Sequence, residues 1–335
     1  MFDKRVVNAV HSAMRDRPLK IFAGSAGRAF AEDVCQRLGI ALGQALVSRF
    51  NDGEVRVQIL ENVRDCDVFI LNQTNPPAEN ILEMALLSEA AHGSSAGRIT
   101  LVPTYLGYNR QDRKDRPRVP ISSRTVMRFL AHSGADRALF FDLHSEPTAG
   151  FMSNLVIDHL YASTISVPYL QKVLTEDYVV ASPDKGGTER AEAYARRLGQ
   201  DDFVVFFKSR SAPGEIKKES VKIIGAVRGK DVVFVDDLID SGGTMIADAE
   251  AAKKAGAKRI FCFATHAVFS SDPKKVIERF DNSAVTELIV TDSIRHDAKL
   301  MKGKRVKVTV LPLSGLVADA IARIHAGESV SALIT

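Results

Sequence analysis

The chain has 335 residues, roughly twice the length of a common single domain, which favours two domains with cores of their own. Its 45 Lys and Arg residues and 41 Asp and Glu residues leave a formal charge of +4, an excess too small to indicate a nucleic acid partner. Hydrophobic residues make up 45% of the chain and charged residues 26%, a composition that excludes a disordered or fibrous protein.

Three cysteines, Cys35, Cys66 and Cys262, are widely spaced and form no CxxC motif, so the sequence indicates neither a disulfide framework nor a structural zinc site. We interpret each as a small buried apolar residue and expect a reducing cytoplasm as the compartment. No stretch approaches the ~18 apolar residues of a membrane span, and charged residues interrupt the segment from Met1 to Pro18. We therefore expect neither an export signal nor a membrane partner.

Short runs of β-branched and aromatic residues alternate along the chain with Ala-rich helical stretches. Strands are predicted at Lys20–Ala23, Val68–Asn72, Ile99–Pro103, Ala138–Asp142, Tyr178–Ser182, Phe203–Lys208, Val232–Asp236, Arg259–Thr265, Glu287–Thr291 and Lys307–Leu311. Helices are predicted at Ala29–Leu38, Asn80–His92, Ser123–His132, Gly187–Leu198, Thr244–Ala255 and Leu316–Ala326. Strands that alternate with helices form parallel sheets, so the predicted fold class is α/β.

Two passages of the chain can be laid over each other. The first contains Gly53-Glu54-Val55, Asn62-Val63-Arg64, Asp67-Val68-Phe69-Ile70 and Gly97-Arg98-Ile99. The second contains Gly214-Glu215-Ile216, Ala226-Val227-Arg228, Asp231-Val232-Val233-Phe234 and Lys258-Arg259-Ile260. Duplication of one α/β unit would explain the match. So would sequence patterns that unrelated α/β proteins have in common. Both explanations predict two similar halves, which we place at residues 1–160 and 161–335.

The strand-to-helix turns of the two halves differ. In the first half, residues 72–77 contain two prolines and no glycine, which makes them unsuited to wrap a phosphate. In the second half, Ser241–Thr244 open a helix, where free N–H groups and two glycines form a cup for an anion. Asp236 and Asp237 end the strand before it and need cations or hydroxyl donors. A sugar phosphate would satisfy both features, with its phosphate in the cup and its hydroxyls at the acid pair. An N-capped turn with a solvated acid pair would explain only part of the segment Asp236–Thr244.

In the segment Asp236–Thr244 the sequence resembles the ribose-phosphate pyrophosphokinases. Further motifs occur in the order and spacing of that family over roughly residues 20–330: Phe50-Asn51-Asp52-Gly53-Glu54, Gly107-Tyr108-Asn109-Arg110-Gln111-Asp112-Arg113, Phe141-Asp142-Leu143-His144-Ser145-Glu146, Ser182-Pro183-Asp184-Lys185-Gly186-Gly187 and Val235–Thr244. The resemblance implies two tandem phosphoribosyltransferase-like domains, each with a mainly parallel sheet flanked by helices. It also implies transfer of the β,γ-diphosphate of ATP to the 1-hydroxyl of ribose 5-phosphate, with Mg²⁺ as cofactor and AMP as the second product.

The resemblance also assigns roles to individual residues. It implies ATP binding by Phe50, Asp52, Glu54, Arg110, Gln111 and Asp112. It implies ribose 5-phosphate binding by Arg210, Asp236, Asp237, Asp240, Ser241, Gly242, Gly243 and Thr244. His144 and Asp184 would hold the metal, and Lys208 and Arg210 would be the catalytic cations on a mobile loop that closes over ATP. A homo-oligomer of dimers, assembled into a hexamer, is expected because a neighbouring subunit lends the Phe50 loop to the adenine in the family.

Two segments depart from the family pattern. Pro147–Met152 replaces a polar segment near the regulatory ADP site, and Lys114–Arg118 replaces a longer basic one. We therefore expect weak or absent allosteric inhibition by ADP. Two other functions stay open: a catalytically silent regulatory relative, which the retained Lys208, Arg210 and His144 argue against, and a phosphoribosyltransferase, which needs only one such domain.

Overall fold

The structure, a computed structural model, describes residues 17–209, 220–270 and 272–334. Its first elements are β1 (Leu19–Ala23), α1 (Arg28–Leu38), β2 (Ala45–Arg49), β3 (Val55–Ile59), β4 (Asp67–Gln73), α2 (Glu79–Gly93), β5 (Arg98–Tyr105), α3 (Ser122–Ala131), β6 (Arg137–Phe141) and β7 (Val156–Leu160). They are followed by α4 (Ser163–Val173), β8 (Tyr178–Ser182), α5 (Thr188–Arg197), β9 (Phe203–Ser209), β10 (Ser220–Ile224), β11 (Asp231–Ile239), α6 (Gly243–Lys254), β12 (Ile260–Ala267), α7 (Pro273–Asp281), β13 (Glu287–Thr291), β14 (Lys307–Leu311) and α8 (Ser314–Ala326). Short 3₁₀ helices lie at Glu146–Met152 and Ser331–Leu333.

The α/β class expected from the sequence is confirmed, and each predicted strand and helix is present. The bounds of β8, β13 and β14 are those predicted. Additional to the predicted elements are β2, β3, β7, β10, α4 and α7. In α4 the physical reason is Pro168, which lies inside the helix although proline removes a backbone donor and normally ends a helix.

The described part of the chain divides into two compact units. Unit 1 contains residues 17–161 and 313–334, and unit 2 contains the described residues from Ala162 to Pro312. The predicted division at 160/161 lies at this boundary, but the last residues, predicted to belong to the second domain, group with the first. The reason is that α8 binds unit 1: Arg37 Nε donates to Ser314 Oγ (3.0 Å), and Arg98 Nη2 donates to Ile324 O (2.8 Å).

Each unit is built on one large sheet. In unit 1 the strand order is β1-β4-β5-β6-β7, all parallel, and β2 and β3 form a separate antiparallel hairpin. In unit 2 the order is β10-β9-β8-β11-β12-β13-β14, and among the described strands of this sheet only the β9–β10 pair is antiparallel. The chain leaves β8 towards β9 and returns to β11 on the other side of β8. The strand order therefore reverses between β8 and β11, which is where open α/β sheets form a crevice for ligands.

The central strands are covered on both faces, as parallel sheets require. All residues of β4 and of β12 are buried, and in unit 2 the apolar side chains of α6 and α7 pack on one face of the sheet. Among the described residues, none of the helices combines the length and the apolar character needed to cross a bilayer.

The two halves repeat one series of strands and helices. The series from β1 to α4 has the same order as the series from β8 to α8. Each copy also contains an Asp–Arg ion pair whose carboxylate is buried: Arg98 Nε donates to Asp67 Oδ1 (2.8 Å), and Arg259 Nε donates to Asp231 Oδ1 (3.0 Å). Because these four residues are equivalent in the sequence repeat, the structure favours duplication over sequence patterns that unrelated α/β proteins have in common.

Candidate active site

The carboxyl ends of β8 and β11 bring together most of the acidic residues that the sequence analysis singles out in unit 2. The two strands are neighbours, with Phe234 paired to Ala181. β8 ends at Ser182, two residues before Asp184, and β11 contains Asp236 and Asp237 near its end. This is the position of the strand-order reversal, so the predicted ligand site lies where the topology provides a crevice.

Asp236 and Asp237 share one cation. Arg190 Nη1 lies 3.3 Å from Asp236 Oδ1 and 3.2 Å from Asp237 Oδ1. The Asp237 side chain is only 4% exposed. Burial, and next the adjacent Asp237 carboxylate, raise the pKa of Asp236 well above its ordinary value. Arg190 lies outside the sequence motifs, although one signal was available: it lies in the first turn of α5, where the helix dipole disfavours a cation that has no acidic partner.

The loop from Asp240 to Thr244 has the geometry of an anion cup. Gly242 has a φ of 73°, and a β-carbon built there would lie 2.6 Å from Phe280 Cε2, so this position requires glycine. The first α-helical bond of α6 runs from Ile246 N to Gly242 O (3.0 Å). The N–H groups of the first turn consequently point out of the helix end, where an anion can accept from them.

Polar side chains from the loop after β12 and from α7 fix this cup. Asp240 Oδ1 accepts a hydrogen bond from Ser270 Oγ, and Ser241 O accepts one from Arg279 Nη1 (2.6 Å). Asp184 occupies the turn after β8, where its Oδ1 accepts from Gly187 N (2.8 Å) at the start of α5. The structure therefore places each acidic residue predicted in unit 2 at the carboxyl end of its sheet.

In unit 1, Phe50, Asp52 and Glu54 lie together in the turn of the β2–β3 hairpin. Phe50 N donates to Glu54 O (2.8 Å), and Glu54 N donates to Asp52 Oδ1 (3.1 Å). The Phe50 side chain is 50% exposed, and the Arg56 guanidinium lies 5.5 Å from its ring centroid. An aromatic ring held on a closed turn with one face open is suited to stacking on a planar base.

Arg110, Gln111 and Asp112 follow β5 in a loop that is attached to the start of α3. Gln111 Oε1 accepts from Ser122 Oγ (2.5 Å), and Ser123 N donates to Gln111 O (3.2 Å). Arg110 is exposed and Asp112 is half-buried. The side chains of this predicted ATP-binding motif are thus presented from an anchored loop.

The predicted metal ligands lie in different units: His144 is exposed just after β6 of unit 1, and Asp184 belongs to unit 2. No cluster of three His, Cys, Asp or Glu side chains suited to a metal occurs among the described residues.

Of the predicted catalytic cations, Lys208 is the sixth residue of β9, but its side chain lies outside the described part of the structure, and so does all of Arg210.

At the equivalent strand ends of unit 1, a neutral amide takes the place of the acid pair. Asn72 corresponds to Asp236 in the repeat, and its Oδ1 accepts from Gly27 N (2.8 Å) while its Nδ2 donates to Asn80 O (2.7 Å). A β-carbon built on Gly24 would lie 2.3 Å from Asn72 Nδ2. The Asn72 side chain therefore occupies the space beside the β1–α1 turn.

Comparison with known proteins identifies the family. Residues 19–134 match the N-terminal domain of ribose phosphate pyrophosphokinase, and residues 204–335 match the phosphoribosyl synthetase-associated domain. A ribose-phosphate pyrophosphokinase of Vibrio vulnificus (strain YJ016) is 46% identical over 317 residues, which cover 94% of this chain and 98% of that protein. The chain belongs to the ribose-phosphate pyrophosphokinase family. One from Chlorobaculum tepidum is 40% identical over 319 residues, covering 95% of each chain.

A solved structure agrees with this family. The phosphoribosylpyrophosphate synthetase from Mycobacterium smegmatis superposes with a TM-score of 0.85 at 32% sequence identity, covering 93% of this chain and 100% of that one. The resemblance drawn from the motifs is thereby confirmed, as is the prediction of an enzyme. The comparisons give no support to a silent regulatory relative or to a phosphoribosyltransferase.

Proposed function

We propose that the protein transfers the β,γ-diphosphate of ATP to the 1-hydroxyl of ribose 5-phosphate, giving 5-phosphoribosyl 1-diphosphate and AMP for nucleotide biosynthesis. The observation that carries the proposal is the pairing of an acid pair with an anion cup at the strand-order reversal of unit 2, in a chain of this family. The cup would hold the 5-phosphate, and Asp236 and Asp237 would accept hydrogen bonds from the ribose hydroxyls.

In the transfer, a bond forms between the 1-hydroxyl oxygen and the β-phosphorus while the bond from that phosphorus to the α,β-bridging oxygen breaks. AMP carries away the electron pair, and the hydroxyl proton is released. Positioning and positive charge supply most of the catalysis in such reactions. Phe50, Asp52, Glu54 and residues 110–112 would hold ATP, while Lys208 and Arg210 would neutralise charge on the transferring group. Arg210 would also contact ribose 5-phosphate.

We assign Mg²⁺ to His144, Asp184 and the phosphate oxygens of the substrates. When bound, the ion would neutralise charge on the triphosphate and orient it. The exposed position of both side chains at loops after strands supports this assignment. A carboxylate is the kind of oxygen ligand that Mg²⁺ prefers, and a single protein carboxylate is sufficient when phosphates complete the shell.

We also propose a homo-oligomer, a hexamer assembled from dimers as expected for the family, working in the cytoplasm. The cysteines support a reducing compartment. Cys35, Cys66 and Cys262 are free and buried, which confirms their interpretation as apolar residues. Burial, and next the charge of Glu32, raise the pKa of the Cys35 thiol to about 11, so it stays protonated and unreactive at neutral pH.

The reaction is tested by incubating the purified protein with ATP and Mg²⁺, with and without ribose 5-phosphate, and measuring AMP. We expect AMP to form only when ribose 5-phosphate is present. A silent relative would form none, and a phosphoribosyltransferase would instead consume 5-phosphoribosyl 1-diphosphate when given a nucleobase. Either result would overturn the proposal.

The role of Lys208 is tested by Lys208→Ala. We expect kcat to fall by roughly two or more orders of magnitude while ribose 5-phosphate still binds, because the lost charge acts mainly in the transition state. Lys222→Ala is the matched control, since Lys222 is an exposed lysine on β10, which pairs with β9. Near-normal turnover of the Lys208 variant would remove this residue from the mechanism.

A further inference from the structure

Arg279 lies at the rim of the loop formed by Asp240–Thr244, outside every motif that the sequence analysis assigns. It belongs to the last turn of α7, and its Nη1 donates a 2.6 Å hydrogen bond to Ser241 O. A β-carbon built on Gly243 would lie 3.4 Å from Arg279 Nη2 and 3.6 Å from Ser241 Oγ. The guanidinium and the Ser241 hydroxyl therefore border the same space beside Gly243.

The backbone that carries Arg279 is fixed by packing. Val276, Ile277 and Phe280 of α7 are buried in the core of unit 2, and Asp272 caps the helix by accepting a hydrogen bond from Lys274 N (3.0 Å). Phe280, the next residue after Arg279, packs directly against Gly242 of the loop. The guanidinium is thus presented to the loop from a rigid helix, as precise binding sites require.

The charge balance of the loop indicates what this cation is for. The loop contains one carboxylate, Asp240, and no lysine or arginine. A phosphate dianion bound by the first turn of α6 would lie close to the Asp240 carboxylate, so a cation beside the loop would favour phosphate binding. A guanidinium carries five donors in a planar fork, so Arg279 can hold Ser241 O and a phosphate oxygen together.

We propose that Arg279 binds the 5-phosphate of ribose 5-phosphate directly and supplies the positive charge that the loop itself lacks. This inference rests on the proposed function, because it concerns the same substrate site. Arg279 acts together with the N–H groups of the first turn of α6 and with the Ser241 hydroxyl. The hydrogen bond that Arg279 donates to Ser241 O holds the loop in the conformation that receives the phosphate.

Arg279→Gln and Arg279→Lys test the proposal, with Arg196→Gln as the matched control. Arg196 is an exposed arginine of the same unit, paired on α5 with Glu192 at 2.9 Å. The dissociation constant of ribose 5-phosphate is measured by calorimetry, with inorganic phosphate as a competitor. We expect Arg279→Gln to raise the dissociation constant of ribose 5-phosphate about 10- to 100-fold, the size expected for loss of a charge-assisted hydrogen bond. The binding of inorganic phosphate should weaken in parallel, and the KM for ATP should not change.

Arg279→Lys should fall between the wild type and Arg279→Gln, because lysine keeps the charge but loses the fork. If Arg279→Gln melts at a lower temperature than the wild type, the Arg279→Lys variant decides whether Arg279 binds the phosphate. Unchanged ribose 5-phosphate and phosphate affinity in both variants would overturn the inference. So would a fall in kcat with equal rises in both KM values, which would mean that Arg279 only holds the loop. A wild type that binds no ribose 5-phosphate would instead overturn the proposed function.

Discussion

Asp236 sits in an environment that disfavours its charge. Its carboxylate is largely removed from water and stands beside Asp237, and Arg190 offsets only part of the repulsion between the two. Such an acid pair does not help the fold. It becomes useful when hydroxyl donors reach it, because hydrogen bonds to a poorly solvated carboxylate are stronger than those to a hydrated one.

Asp236→Asn is therefore expected to raise stability and lower activity. The raised pKa means that the folded state binds the proton of Asp236 more tightly than the unfolded state. The free energy of unfolding of the wild type then falls as pH rises from the ordinary pKa of 3.8 through the raised value. The variant lacks this loss, so its Tm should exceed that of the wild type by an amount that grows with pH across this interval. Its kcat/KM for ribose 5-phosphate should fall about 10- to 100-fold.

Thermal melting at a series of pH values, with initial rates at neutral pH, checks this prediction. Asp201→Asn is the control, because Asp201 is exposed in the same unit and should shift neither the melting curve nor the rate. A stability difference that shrinks as pH rises would contradict the assigned environment of Asp236.

At the scale of single elements, the β2–β3 hairpin allows binding and stability to be separated. Phe50 and Leu60 flank the hairpin at opposite ends and are 50% and 53% exposed. Phe50→Ala removes little packing, so stability should hardly change. If Phe50 stacks on adenine, the KM for ATP should rise about 10-fold, the size of one base-stacking contact. The KM for ribose 5-phosphate should stay the same.

Leu60→Ala is the matched control for Phe50→Ala, since it removes an equally exposed apolar side chain from the same hairpin. Steady-state kinetics with ATP as the varied substrate make the comparison. Equal effects of the two variants on the KM for ATP would show that hairpin stability, and not stacking, is responsible.

The elements that the sequence predicts well are those whose burial is determined by their own composition. β13, Glu287–Thr291, is buried along its whole length and has the predicted bounds. β2 is half-buried or exposed, and β7 carries Asp158 and His159, so neither has the apolar run of a central strand. α4 has Pro168 in its interior and is held by packing against the local preference.

The site divides in a similar way. Asp236 and the loop after it are contiguous in sequence, so a motif can contain them. Arg190 lies 46 residues from Asp236, and Arg279 lies 38 residues from Ser241. Each becomes part of the site only because a separate helix brings it there, and no local pattern encodes that encounter.

The two copies of the repeat exchange their last helices. α4 follows β7 of the first copy yet belongs to unit 2, and α8 follows β14 of the second copy yet belongs to unit 1. The arginines of the two ion pairs bind these helices equivalently: Arg98 donates to Ile324 O at the end of α8, and Arg259 donates to Val173 O at the end of α4.

In these ion pairs, Arg98 and Asp231 are held in their charged forms. The hydrogen bond from Arg98 to Asp67 raises the pKa of Arg98. Burial alone would raise the pKa of Asp231, but the hydrogen bonds from Arg259 and Thr175 outweigh it and hold that pKa below its ordinary value. Removing either arginine would leave the buried carboxylate of Asp67 or Asp231 without its cation, which is destabilising. Each unit therefore depends on a helix from the opposite copy of the repeat.

Removal of residues 313–335 should destabilise unit 1 selectively. Leu316, Val317, Ile321 and Ile324 of α8 are buried, and each such side chain contributes about 1.5–3 kcal/mol. Their loss would approach the whole stability of a domain, typically 5–15 kcal/mol. His325 Nδ1, 2.8 Å from Asp67 Oδ2, would be lost as well. Unit 2 keeps all of its strands and helices.

Hydrogen exchange followed by mass spectrometry measures this prediction by comparing β4 of unit 1 with β11 of unit 2. In the truncated protein, β4 should lose its protection while β11 keeps most of it. Removal of residues 328–335 alone is the control, because it leaves α8 and its contacts with Arg37 and Arg98 intact. A peptide of residues 313–335 added in trans should restore protection to β4. Loss of protection in β11 to the same extent as in β4 would contradict the helix exchange as the source of stability.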